Sequence, residues 1–122
     1  MLIPFLVSKI HQAQVTGANP EYSGSISIDT QLMQEAGLRE FQKVEIHNIS
    51  SGNRFTTFVM AAEEGSGDII INGSAAHCGS VGDKIIIAAY ALLDERELNS
   101  LNATILLMEE NNRIARIITG KL

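Results

Sequence analysis

Short runs rich in Ile and Val recur between turn signals along the chain: "SISI" after Gly24, "KVEIHNI" at 43–49, "RFTTFVM" at 54–60, "DIIIN" at 68–72, "DKIIIAAYA" at 83–91, "ATILLM" at 103–108 and "RIARIIT" at 113–119. Their length and β-branched content predict strands rather than helices. The segments "SSGNR", "EEGSGD" and "SVGDK" read as the connections between them. Helix signals are few. In "DTQLMQEAG" Asp29 or Thr30 can cap the first amides, Leu32, Met33 and Ala36 make one apolar face, and Gly37 can end the helix. "GSAAHCG" predicts one or two turns closed by Gly79, and "LDERELNS" a further short helix. Many short strands with few helices in one small chain predict a closed or nearly closed β-barrel, a single domain over residues 1–122.

Composition narrows the function classes. The 122 residues, 45% of them apolar, suffice for one compact core. Nine basic residues against fourteen acidic ones give a formal net charge of -5, and the basic residues are scattered, which argues against a nucleic-acid partner. The opening "MLIPFLVSKIHQ" is short, broken by Pro4, and has neither a basic leader nor a small-residue cleavage site. No apolar run reaches a membrane-spanning length of about 18 residues. Cys78, the only cysteine, makes no internal disulfide. The expectation is a soluble, cytoplasmic protein with no membrane partner.

Candidate chemistry is sparse, and each piece has a plain structural reading. Lys9 and His11 lie two apart, so on an extended segment they share a face; a solvated lysine beside a hydrogen-bonded histidine would look the same. Arg54 can hold a carboxylate by a bidentate pair or bridge surface acids. In the strand it opens, parity sets Phe55 with Thr57 and turns Phe58 to the other face, most simply into the core. "NGSAAHCG" at 72–79 has the small residues that let backbone approach a ligand, or it is a tight turn before a capped helix. His77 beside Cys78 is not a metal site by its surroundings, since no second Cys pair, repeated His spacing or acidic cluster accompanies it. Ser25, His11 and Asp29 lack the spacing and the nucleophile elbow of a hydrolase. The dipeptide Gly24-Ser25 itself reads either as a permissive turn entering a strand or as a reaction site.

Taken together, Lys9-Ile-His11, "VTGA" at 15–18, "YSGSISID" at 22–29, "GNRFTT" at 52–57, "NGSAAH" at 72–77 and "VGD" at 81–83 resemble, in order and spacing, the pyruvoyl-dependent aspartate 1-decarboxylases. The resemblance covers roughly residues 6–90; from Leu92 onward no motif matches. It implies an all-β double-psi β-barrel, with short helices, that cleaves itself between Gly24 and Ser25 into a 1–24 β chain and a 25–122 α chain. In that chemistry the Ser25 hydroxyl attacks the Gly24 carbonyl, and Ser25 ends as a pyruvoyl group that forms a Schiff base with the substrate amine, with no metal and no pyridoxal phosphate. Thr57 would polarise the Gly24 carbonyl. Lys9 and Arg54 would hold substrate carboxylate, Tyr22 and His11 would line the site, Asn72 would position the adduct, and the backbone of Gly73, Ser74 and Ala75 would offer amides. The implied reaction turns L-aspartate into β-alanine and CO2 for pantothenate synthesis. It is carried by a homotetramer with sites between subunits, in some relatives matured by a helper protein.

Three positions depart from the family pattern. Phe58 stands where a tyrosine is thought to reprotonate the carbanion, His47 where many members carry a larger aromatic residue, and Gln12 where a basic residue is common. Tyr22, His11 or an ordered water are the candidates for the vacant acid role. The changes at 47 and 58 leave two alternatives open: a pyruvoyl decarboxylase of another small acidic amino acid, or a β-barrel interaction module that never processes.

Overall fold

The computed structural model describes residues 1–121; the last residue of the expected 1–122 domain lies outside them. The strands are β1 (Ile3–Gln14), β2 (Gly17–Asn19), β3 (Ser25–Asp29), β4 (Lys43–Asn48), β5 (Arg54–Ala62), β6 (Ile69–Asn72), β7 (Lys84–Leu93), β8 (Asn102–Glu109) and β9 (Arg113–Lys121). They form one nine-stranded sheet in the order β2-β6-β3-β5-β4-β7-β1-β8-β9. Parallel pairs (β3 with β5, β1 with β8, β2 with β6) are interleaved with antiparallel ones. The all-β class is as expected, and this order is consistent with a double-psi barrel. Every predicted strand is present within a few residues of its expected bounds.

Two strands were not read from the pattern. β1 is long and continuous despite Pro4, because it lies antiparallel to β7 with bulges between Leu6 and Ser8 and between His11 and Ala13 that absorb its irregularity. Gln12, at the second bulge, has φ +65°. β2 has three residues and no alternation to reveal it; its pairing with β6 defines it.

Period-two patterning builds the core. Ile10, Ile26, Ile28, Ile46, Val59, Ile69, Ile71, Ile85 and Leu106 are fully buried, and each such side chain contributes about 1.5–3 kcal/mol. Helix α1 (Thr30–Ala36) buries Leu32, Met33 and Ala36 against this core. The Asp29 carboxylate accepts from Gln31 N at its start, and Gly37 ends it at φ +75°, the left-handed position that glycine tolerates. Residues Gly73–Cys78 and Glu95–Ser100 are 3-10 helices, the second opened by an Asp94–Glu97 capping box.

Asp29 does more than cap. It is 4% exposed, and its two oxygens also accept from Gly65 N and Gly67 N, each at 2.9 Å, which ties the β5–β6 connection to the helix start. Asp29→Asn puts an amide N–H against one of these N–H groups. It is expected to destabilise the fold by about 1–3 kcal/mol, seen as a lower urea midpoint at unchanged slope. An unchanged midpoint would show that the loop amides find other partners.

Phe58 corrects the sequence expectation. Parity holds along β5, but the inner face is that of Phe55, Thr57 and Val59, with Val59 fully buried, while Arg54, Thr56 and Phe58 face out. The register is fixed where Val59 N donates to Gln42 O (3.0 Å) and Phe41 N donates to Val59 O (2.7 Å). Phe58 is therefore 37% exposed and stacks on Phe41, with ring centroids 6.1 Å apart. Phe41 holds that place at φ +69°, an uncommon conformation for a bulky residue.

Candidate active site

The Gly24–Ser25 bond enters β3 where three segments meet. Ser25 pairs with Asn72 across the antiparallel β3–β6 ladder, is 6% exposed, and its Oγ accepts from Asn72 Nδ2 at 3.0 Å. The same Nδ2 donates to Ser27 Oγ, also at 3.0 Å. On the other side β3 runs parallel to β5 with Ile26 opposite Val59, so the ladder continues back toward Gly24 and Thr57.

Gly73 presses on this bond from the start of its 3-10 helix. It is buried at φ +77°, and a Cβ there would lie 2.6 Å from Gly24 Cα, 2.8 Å from Gly24 N and 3.2 Å from the Tyr22 carbonyl oxygen. Only glycine fits. Gly24 is the opposite case: it has no positive φ, and a Cβ on it would meet nothing within 4 Å. Neither backbone conformation nor packing requires glycine at 24, so the permissive-turn reading loses its physical basis. What glycine leaves clear there is the approach to its own carbonyl.

The cationic residues lie on the outward face of the sheet, in two rows set by the registers of β1, β7, β4 and β5. One row is His11, Ile86, His47 and Arg54; the next is Lys9, Ala88, Glu45 and Thr56. In-register neighbours project to one side, so Lys9 and His11 share a face, as the sequence suggested, and Arg54 joins them there. Among the described residues, neither Lys9 nor Arg54 forms an ion pair, so Arg54 is not bridging a surface acid. His11 Nδ1 is shut off from solvent and unpartnered among the described residues. Burial of the ring, then the neighbouring Lys9 charge, lower its pKa from the ordinary 6.5, so the imidazole is neutral at pH 7.

Arg54 and Phe58 are four residues apart along β5, about 13 Å at the usual rise of a strand, and the parallel β3–β5 register sets Ser25 beside Phe58. Tyr22 is 67% exposed at the approach to Gly24, and Ser74 is exposed beside half-buried Ala75. A cleft of about 550 Å³ between Pro4, Lys43, Glu45, Tyr90 and Leu92, and another of about 520 Å³ along Asp29, Gly65, Gly67 and Arg113, do not include Ser25.

Two neighbours were missed by sequence reasoning. Ser27 has the parity of Ser25, which was visible, but its tie to Asn72 spans 45 residues. Glu45 has the parity of His47 and accepts from His47 Nε2 at 3.1 Å, orienting the imidazole beside Arg54. Cys78 offers its carbonyl to Asn48 and Asn53, and His77 is exposed; among the described residues no three His, Cys, Asp or Glu side chains gather as a metal-binding group. Among the described residues no helix is long and apolar enough to cross a membrane.

Comparison with known proteins extends the resemblance along the chain. Residues 1–115 match the family described as aspartate decarboxylase, well past the 6–90 stretch that carried the motifs. An aspartate 1-decarboxylase of Wolinella succinogenes is 50% identical over 117 residues, covering 96% of this chain and 97% of that protein. Those of Caldicellulosiruptor saccharolyticus (49%, covering 96% of this chain and 91% of that protein) and Sulfurimonas denitrificans (48%, covering 97% and 98%) are similar to the same extent.

Proposed function

The chain belongs to the aspartate decarboxylase family, and from that premise we propose that it cleaves itself at Gly24–Ser25 and decarboxylates L-aspartate to β-alanine and CO2. The observation that carries this reading is a serine hydroxyl held by Asn72 next to a glycine carbonyl whose backbone is pinned by Gly73.

Cleavage needs an oxygen that is first nucleophile and then leaving group. Ser25 Oγ adds to the Gly24 carbonyl carbon, the C–N bond breaks, and the hydroxyl proton passes to the amide nitrogen. The peptide becomes an ester. Thr57, in line with Gly24 on the continued ladder, donates to the oxyanion formed on the way. Loss of the Ser25 Cα proton then breaks the Cβ–O bond, freeing the 1–24 chain as a Gly24 carboxylate and leaving dehydroalanine. Addition of water and loss of ammonia give a pyruvoyl ketone. The donor set fits this group: Ser25 opens β3, so the ketone forms at a fixed strand end with Asn72 beside it.

That ketone supplies an electrophile for the substrate amine and an electron sink as CO2 leaves, which no unmodified side chain provides. The remaining work falls to the chain's own residues. Arg54 and Lys9 bind the two carboxylates of aspartate, and two cations match two anions. His11, neutral at pH 7, lines the site without adding a third positive charge beside Lys9 and Arg54, and Tyr22 closes its rim. Asn72 and the 73–75 backbone orient what is bound. Assembly as a homotetramer, with sites between subunits, goes with this reading. A cytoplasmic location and a place in pantothenate synthesis go with this reading, as does a maturation partner if cleavage proves slow alone.

The test is the denatured intact mass of freshly purified protein before and after prolonged warm incubation. The expected result is a 1–24 fragment with a 25–122 partner lighter by ammonia than its encoded mass, followed by β-alanine formation from aspartate. One persistent full-length mass, unchanged by a candidate activator, would instead support the non-processing interaction module. His47, held by Glu45 beside Arg54, is the observation that favours a different small acidic substrate. Parallel assays with aspartate, glutamate and cysteine sulfinate separate the two readings.

A further inference from the structure

Asn72 stands at the start of a 3-10 helix, a position where asparagine ordinarily turns its side chain onto the helix's own first amides. Here it makes no such cap. Its carboxamide is directed across the ladder, and Nδ2 touches two hydroxyls, Ser25 Oγ and Ser27 Oγ, each at 3.0 Å. An amide nitrogen has two N–H groups, so both are used. Ile26 and Ile28, fully buried, flank Ser27 and lock the parity that sets its hydroxyl beside that of Ser25.

We propose that Ser27 is a positioning residue for the self-cleavage: it takes one N–H of Asn72 and so keeps the other on Ser25 Oγ. This rests on the self-cleavage reading above. The physical reason is the two-fold freedom of an asparagine side-chain amide, whose terminal torsion is broad. With Nδ2 on Ser25, the N–H steadies the negative charge that grows on Oγ as its proton leaves. With Oδ1 turned there instead, an acceptor faces that charge and opposes it. A single hydrogen bond leaves the carboxamide free to swing about that torsion, and the second, to Ser27, ties it in place. Ser25 Oγ can only accept once its proton leaves, so the N–H side is the one that must be held there.

The experiment compares cleavage rates of freshly made wild-type, Ser27→Thr and Ser27→Val protein by denatured mass. Valine copies the shape of threonine and lacks the hydroxyl. Ser27→Thr is expected to cleave within about threefold of wild type, and Ser27→Val about tenfold or more slowly, with its rate recovering at higher pH as Oγ loses its proton more readily. Asn72→Asp, which keeps the shape and removes both N–H groups, is expected to lose about 100-fold to 1000-fold. Urea midpoints show whether each variant is folded; if Ser27→Val is not, Ser27→Ala takes its place, and the Asn72→Asp rate decides the issue independently. Equal rates for Ser27→Val and wild type, equal slowing of the Thr and Val variants, or wild-type cleavage in Asn72→Asp would each overturn the proposal. A wild-type chain that stays whole even with a candidate activator overturns the self-cleavage reading and this inference together, whereas a cleaving wild type with an unaffected Ser27→Val overturns this inference alone.

Discussion

Arg54→Ala is expected to lose about two to four orders of magnitude in aspartate kcat/KM while the Gly24–Ser25 bond is still cleaved at its normal rate. The size follows from two charge-assisted hydrogen bonds to a carboxylate, each worth about 1.5–3 kcal/mol, at about 1.4 kcal/mol per tenfold. The separation of roles follows from the fold. Arg54 opens β5 on the outward face, in register with His47, whereas the cleavage groups gather at the start of β3, beside Phe58 and about 13 Å further along β5. Because Arg54 is exposed and unpaired among the described residues, its removal leaves no buried partner stranded, so the urea midpoint is expected to move little. Mass spectrometry reads the cleavage and a β-alanine assay reads the turnover. An Arg54→Ala chain that stays whole would contradict the division of labour, and one that turns over aspartate normally would remove Arg54 from substrate binding.

What could be read from the sequence was local. The Ile-rich alternation gave the strands, and Asp29, the Leu32-Met33-Ala36 face and Gly37 gave α1 with both its ends, because capping and periodicity act over a few residues. The features that escaped are those set by residues far apart. β2 exists only through its pairing with β6. Asn111 and Asn112 adopt positive φ, at 62° and 53°, and Asn112 is buried where it bonds Gln14 and Gly67. Phe58 was expected in the core because parity turns it away from Phe55 and Thr57, and the simplest reading buries the face opposite them. The turn at Phe41 and Gln42 fixed the opposite face. For the site, the motifs pointed to candidate residues and to the roles that the resemblance implies. The requirement for glycine at 73 and the lack of any such requirement at 24 needed coordinates, since both depend on what lies across the sheet.

The departure at position 58 makes the second large prediction. Phe58 lies one residue before Val59, which pairs with Ile26, so the same ladder carries Phe58 alongside Ser25. Its ring stands on the outer face against Phe41 and has no exchangeable proton to give. Phe58→Tyr adds a hydroxyl at the far end of a ring that is already 37% exposed, so no core space is needed. A phenol, with an ordinary pKa near 10, carries its proton at pH 7. If return of a proton to the product carbon limits turnover, a positioned acid is expected to raise kcat by about two to four orders of magnitude, with little change in KM. The solvent deuterium isotope effect on kcat then falls as the step stops being limiting. A raised kcat with a smaller isotope effect places the proton donor at this face of β5. An unchanged kcat in a variant whose isotope effect also stays unchanged shows that Tyr22, His11 or water already delivers the proton, and that the phenylalanine at 58 costs this enzyme nothing in the step.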